Sequence, residues 1–311
     1  MKRGTWALVA ALLLAQSGAA TAAMQGLVIS GLGGDPDYEH RFAEWNSALT
    51  KQLRQLAGGE ERIASLAGTQ ATSANIEKAF AQLVQRTQRD DSVIVVLIGH
   101  GTWLGEEYRY NIPGPDLTGA QLKALLDRLP AERQLVVNTT SASGGMAEAW
   151  KRNGRVVITA TRTGGERNAT RFAQSFIDAL SDDKADRDKD QIVTAAEAFA
   201  WASEAVANSF KSDAAIATEH ARMEGADAAR FVVARFGSAA RHADDAQLQA
   251  LQQRQQTMEQ ELAAVKARKA SMPADAYYAE LEPVLLRIAR LGDEREAREK
   301  QLGMTPSGAI P

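Results

Sequence analysis

Four histidines occur in 311 residues, and cysteine is absent. One histidine stands where chemistry is favoured. Val93 to Ile98 is an unbroken apolar run rich in β-branched residues, and it passes into Gly99-His100-Gly101. Such a run predicts a strand buried on both faces of a parallel sheet. His100 then leaves the strand at its carboxyl end, where ligands of open α/β sheets bind. Read alone, His100 also fits an ordinary structural histidine. A second run, Leu135-Val136-Val137, passes into Asn138-Thr139-Thr140-Ser141-Ala142-Ser143-Gly144-Gly145. Small hydroxyl residues before glycines suit a nucleophile on a tight strand-to-helix turn. They equally suit a plain helix start capped by Ser143. A serine or threonine hydroxyl attacks only with a base within reach, so a nucleophile among Thr139, Thr140 and Ser141 would need His100 beside it.

A third cluster is acidic. Asp186, Asp188 and Asp190 are followed by Ile192, Thr194 and Glu197. Counting Asp186 as position one, carboxylates fall at one, three, five and twelve, with apolar Val193 at position eight, as in a calcium-binding EF-hand loop. Ile192 and Thr194 take the positions of the loop's remaining ligands. Gln191 stands where glycine normally makes the sharp turn, and a left-handed residue other than glycine costs about 1–2 kcal/mol. The competing reading is a solvated acidic loop at the start of the next helix, whose N-terminus favours negative charge. Gly31-x-Gly33-Gly34 does not make a dinucleotide site, because Pro36 occupies the third glycine position.

The elements that position these clusters follow from pattern and composition. At 45% hydrophobic and 24% charged, the chain has the composition of a globular protein. A net charge of −3 gives no footprint for nucleic acid. Without cysteine there are no disulfides, thiolate metal sites or cysteine nucleophile. Residues 1–23 read as a secretory signal: Lys2 and Arg3, an apolar run from Trp6 to Ala15, then Ala20-Thr21-Ala22 as a small-x-small cleavage site, with Thr21-Ala22-Ala23 close behind. An uncleaved anchor is the alternative, but the apolar run is short for a span. The expectation is a periplasmic or secreted bacterial protein with no stable membrane anchor after cleavage.

From 24 to 240, strands and helices alternate. Short strands are predicted near Leu27–Ser30, Ile63–Ala67, Val93–Ile98, Leu135–Val137, Val156–Ile158 and Phe231–Phe236, with helical stripes between them such as Phe42, Trp45, Leu49 and Leu53. Thr118 and Gln121 read as a capping box opening a helix that Pro130 closes. The predicted class is α/β, a three-layer sandwich with a mostly parallel six-stranded sheet. Residues 241–302 carry weakened heptads (Leu248, Leu251, Met258, Leu262, Val265), a turn at Ser271 to Asp275, and a resumed stripe at Tyr278, Leu281, Leu285 and Ile288. This predicts an antiparallel helical, coiled-coil hairpin, packed on its own domain or pairing with a second copy. Residues 303–311 read as a flexible tail.

Taken together, the His100 and Ser141 segments resemble the legumain-type (asparaginyl endopeptidase) branch of the caspase-like peptidases. The likeness covers roughly residues 26–210 and includes Asn111, Pro113, Asp116 and Leu117 ahead of a leucine-rich helix. It implies a caspase-like fold, His100 as general base, Ser141 at the nucleophile position, and the backbone N–H groups of Gly101 and Ser141 as oxyanion donors. It places the substrate pocket at Asp37 to Arg41, where Glu39 stands in the place of an expected arginine and Arg41 lies nearby. Serine in place of the family's cysteine removes the readily formed thiolate. Two functions follow as expectations: a degenerate peptidase that binds peptide or protein partners, or a hydrolase of peptide bonds using Ser141 and His100. Neither requires a cofactor, calcium being the one ligand expected.

Overall fold

The computed structural model describes residues 22–243 and 245–303. Most of the expected signal segment and of the tail lies outside these residues. The central sheet has six strands, in the order β10-β8-β7-β3-β1-β2. They are β1 (Met24–Ser30), β2 (Ile63–Ala67), β3 (Ser92–Ile98), β7 (Arg133–Asn138), β8 (Arg155–Thr159) and β10 (Arg222–Glu224). The first five are mutually parallel, and β10 runs antiparallel on the edge beside β8. This is the predicted α/β class with a mostly parallel six-stranded sheet.

Two apolar layers explain the unbroken strand runs. In β3, Ile94, Val96 and Ile98 face one core while Val93, Val95 and Leu97 face the other, as a period of two requires. The first layer packs against α1 (Pro36–Ala57), α5 (Phe172–Ala179) and α6 (Ala195–Ser212), through Phe42, Leu49, Phe176 and Phe210. The second packs against α2 (Ser73–Arg86) and α3 (Gly119–Asp127), through Phe80, Leu83, Leu122 and Leu126. Local signals place the helices. The Asp35 side chain accepts from the Tyr38 N–H, Pro36 opens α1, and Gly58 at φ 70° closes it. The capping box of Thr118 and Gln121 opens α3 as predicted.

Because α1 and α2 lie on opposite faces, the chain runs from β1 to β2 on one side and then crosses to β3 on the other. The strand order therefore reverses between β1 and β3. Ligands of open α/β sheets bind beside the carboxyl ends of the strands at such a reversal.

Two expectations change. The sixth strand of the main sheet is β10, of sequence Arg-Met-Glu, which carries no apolar run. The apolar segment near Phe231 does form a strand, β11 (Val232–Arg235), but it pairs with β9 (Ile192–Thr194) in a separate two-stranded sheet. His100 also opens a small meander that periodicity did not reveal: β4 (Gly101–Leu104), β5 (Glu107–Tyr110) and β6 (Leu117–Thr118).

Helices α8 (Ala246–Ala267) and α9 (Ala274–Gln301) form the expected hairpin. Its seam differs by one residue on α9. Tyr277, Val284 and Leu291 are the buried positions, joined by Leu281 and Ile288. Tyr278 and Leu285 face outward, at 59% and 44% exposure. No described helix is long and apolar enough to cross a membrane.

Candidate functional site

The two predicted segments meet. β3 and β7 are adjacent and in parallel register, so His100 and Ser141 leave the same rim. The fit is close enough that a Cβ on Gly101 would lie 2.4 Å from the Ser141 carbonyl oxygen and 2.7 Å from Thr140 Oγ1. Only glycine permits this approach.

The imidazole is held from the β1 side. His100 Nε2 lies 3.1 Å from the Gly33 carbonyl oxygen. A carbonyl only accepts, so Nε2 carries the proton and Nδ1 is the acceptor in the neutral ring. The Gly33 N–H donates to Glu39 Oε1 at 2.8 Å, so Gly33 is held through both its N–H and its carbonyl. Tyr38 and Phe42 contact the ring edge-on at centroid distances of 4.7 and 5.1 Å. Burial pulls the imidazole below its ordinary titration range, partly offset by the Gly33 hydrogen bond and by the nearby Asp35 and Glu39 charges. The orienting group is thus a backbone carbonyl, which bears no residue type and leaves no mark in a sequence.

On the other segment, hydrogen bonding separates the three hydroxyls. Thr139 Oγ1 donates to the Leu97 carbonyl at 2.9 Å. Thr140 belongs to a closed ring: Asn138 Nδ2 donates to Tyr108 Oη at 3.1 Å, Tyr108 Oη to Thr140 Oγ1 at 2.6 Å, and Thr140 Oγ1 to Asn138 Oδ1 at 2.9 Å. Burial pushes the Tyr108 phenol up to about 12, so it keeps its proton as donor. Both threonine protons are therefore committed. Among the described residues, neither the Ser141 hydroxyl nor its N–H has a hydrogen-bond partner. Ser141 is 2% exposed and His100 is half-buried.

The turn itself is sharp. Ala142 sits at φ 58°, with its N–H donated to the Glu166 carbonyl at 2.7 Å. Ser143 is not a helix cap, since its Oγ instead accepts from the Thr161 N–H at 3.2 Å. The expected backbone donors have free directions. The Asn111 N–H donates to the His100 carbonyl at 3.1 Å, so His100 and Asn111 form the bonded rung. Gly101 opposite Tyr110 is then a non-bonded rung, which turns the Gly101 N–H away from the ladder.

Arg41 is exposed on α1, its guanidinium 5.0 Å from the Tyr38 ring centroid and 6.0 Å from that of Trp45. Tyr38 therefore lies between Arg41 and His100. Glu39 serves Gly33 rather than a pocket.

The acidic loop lies elsewhere, before β9. Ligand atoms of Asp186, Asp188 and Asp190 lie within 4.8 Å of one another. Asp186 accepts from the Asp190 and Gln191 N–H groups, and Asp190 from that of Ile192. Burial and the Asp188 charge push the Asp190 carboxyl up to about 7. Thr194 and Glu197 form the capping box of α6, and the second Glu197 oxygen accepts from the Arg187 N–H. Gln191 does adopt the left-handed conformation, at φ 67°. Its side chain offsets that strain by accepting from Ser238 N, Ser238 Oγ and Ala239 N at the start of α7 (Gly237–Arg241).

No family model and no curated protein matches the chain. Among solved structures it is similar to caspase-1 from Spodoptera frugiperda, with a TM-score of 0.46 at 13% identity, covering 66% of this chain and 86% of that one. It is also similar to protein GSU0716 from Geobacter sulfurreducens, with a TM-score of 0.45 at 11% identity, covering 69% of this chain and 100% of that one.

Proposed function

We propose that this chain is a degenerate, caspase- and legumain-like peptidase-fold protein whose rim around His100 and Ser141 holds peptide or protein segments without cleaving them. One observation carries the reading. The Ser141 hydroxyl is almost covered and has no base bonded to it, while His100 directs its Nε2 proton to the Gly33 carbonyl. A serine needs a positioned base to attack, and a hydroxyl at 2% residue exposure offers little approach to a carbonyl carbon. What supports binding is place: half-buried His100 and exposed Arg41, joined through Tyr38, border the strand-order reversal between β1 and β3.

A second reading is hydrolysis by Ser141 with His100 as base. The acceptor lone pair left on Nδ1 favours it, as do the N–H groups of Gly101 and Ser141, which would serve a developing oxyanion. A mixed peptide library presented to the mature protein separates the two. Retention of intact peptides, weakened in His100→Ala and kept in Ser141→Ala, supports binding. Cleavage lost in both variants establishes the hydrolase instead.

Three further parts of the proposal rest on separate features. The Ala20-Thr21-Ala22 pattern supports export to the periplasm or exterior with removal of the signal. The three converging aspartates support a calcium site, with Ile192, Thr194 and Glu197 completing the loop. Calorimetric titration showing no heat with calcium on the folded protein rejects that site. Outward-facing Tyr278, Leu285 and Leu286 support self-association through the hairpin.

A further inference from the structure

Asp91, immediately before β3, is 4% exposed. Its Oδ1 accepts from the Ala23 N–H at 2.7 Å and its Oδ2 from the Gln88 N–H at 2.8 Å. Among the described residues no Lys, Arg or His nitrogen pairs with it. Buried carboxylates are ordinarily paired with a cation, so this one stands out. The surrounding arginines are directed elsewhere. Arg62, Arg133, Arg230 and Arg235 line a cavity of about 180 Å³ beside Ala22 and Ala23. Arg230 pairs with Asp227 at 3.5 Å, Arg62 approaches Glu61 at 4.0 Å, Arg133 donates to the Asp90 carbonyl at 2.7 Å, and Arg235 has a partner of its own.

The Ala23 nitrogen follows directly on the small-x-small pattern Ala20-Thr21-Ala22. We infer that Asp91 is the receptor for the processed amino terminus, an α-ammonium on Ala23 created by removal of the signal. Hydrolysis by an export-linked peptidase adds water across the Ala22–Ala23 peptide bond. The Ala22 carbonyl keeps the hydroxyl, and the Ala23 nitrogen takes the proton and gains one more from solvent. The existing N–H to carboxylate bond, already assisted by the charged acceptor, thereby becomes an ion pair with charge on both partners. The strand register needs no change: Ala23 C=O already accepts from the Ser92 N–H at 2.9 Å, ahead of the β1–β3 ladder. Processing thus locks β1, whose far end holds His100 through Gly33. The inference rests on the signal reading, and its test separates the two.

The intact mass of the exported protein gives the first residue. Its melting temperature is then compared with that of the same chain carrying Gly-Ser ahead of Ala23, and with the Ala23 chain acetylated at its nitrogen. The expected result is a start at Ala23 and a melting temperature higher by about 2–4 °C than either blocked form. A paired ammonium titrates above the α-amino range of about 7.7–8.0. The advantage is therefore full below about pH 7.7 and fades as pH rises through the raised value. Asp91→Asn removes the difference between forms. A start at Met24, after the second small-x-small site, overturns the inference and leaves the signal reading standing, whereas an unprocessed chain overturns both. A start at Ala23 with equal melting temperatures in all three forms overturns the ion pair itself.

Discussion

At the residue scale, the site is decided by which protons are already committed. Thr139 and Thr140 donate into the backbone and the Asn138–Tyr108 ring, leaving Ser141 alone with an uncommitted hydroxyl. Sequence narrowed the candidates to these three but had no means of ranking bonds made to Leu97 or Tyr108. His100 and Ser141 were legible because unusual residue types end strongly apolar runs, whereas the Gly33 carbonyl was not. Burial lowers the imidazole's titration point, so the ring is neutral at pH 7. Peptide affinity that depends on this neutral ring is expected to hold between pH 7 and 8. It should weaken as pH falls below about 6.5, the ordinary histidine value. His100→Ala should flatten that profile, which fluorescence anisotropy at each pH would read. Gln191 gives a second prediction. Replacing it by glycine relieves about 1–2 kcal/mol of left-handed strain. The same change strips three hydrogen bonds from the start of α7, and a lost buried acceptor costs about 1–3 kcal/mol. Glycine also adds backbone entropy to the unfolded chain, so Gln191→Gly should lose about 1 kcal/mol in urea denaturation.

At the element scale, helix α5 is capped from a distance. Arg171 offers no side-chain cap, and Glu219 instead accepts from the Arg171 and Phe172 N–H groups at 2.7 and 2.9 Å. Burial pushes this carboxyl up to about 7. A carboxyl raised on folding contributes stability that is full below its unfolded value, near 4.3, and is lost as pH rises through about 7. Melting temperature is therefore expected to carry a downward contribution between about pH 4.3 and 7, and Glu219→Gln should remove it. An unchanged pH profile in that variant would refute the assignment. Capped and stripe-bearing helices were legible, as Thr118 and the Phe42 series show. Strand β10 was not, because Arg222-Met223-Glu224 is a three-residue edge strand in which Met223 alone packs on a core layer, too little to make an apolar run. The α9 seam lies one position from the sequence stripe because Tyr277 and Tyr278 are both apolar-bodied, and only packing against Val265 chooses between them.

At the scale of the whole molecule, the place of the candidate site follows from crossing order. α1 and α2 cover opposite faces, which reverses the strand order between β1 and β3 and brings Gly33 to His100. Composition and alternation made the α/β class legible. They did not show which strand lies beside which, and hence where the reversal falls. The hairpin presents Tyr278, Leu285 and Leu286 outward at 59%, 44% and 51% exposure. Self-association through this stripe predicts a concentration-dependent mass in analytical ultracentrifugation. Replacing Leu285 and Leu286 by serine should abolish that dependence without lowering the melting temperature by more than a few degrees.

His100 and Ser141 leave one rim of the sheet, so an ionisable side chain at position 141 is expected to sense the imidazole. The chain has no cysteine, so Ser141→Cys supplies a single thiol whose ionisation is readable by thiolate absorbance. Titrating it with His100 present and in the His100→Ala background measures the coupling directly. A thiol titration that moves when the imidazole is removed is the predicted result; superimposable curves in the two folded proteins would contradict it.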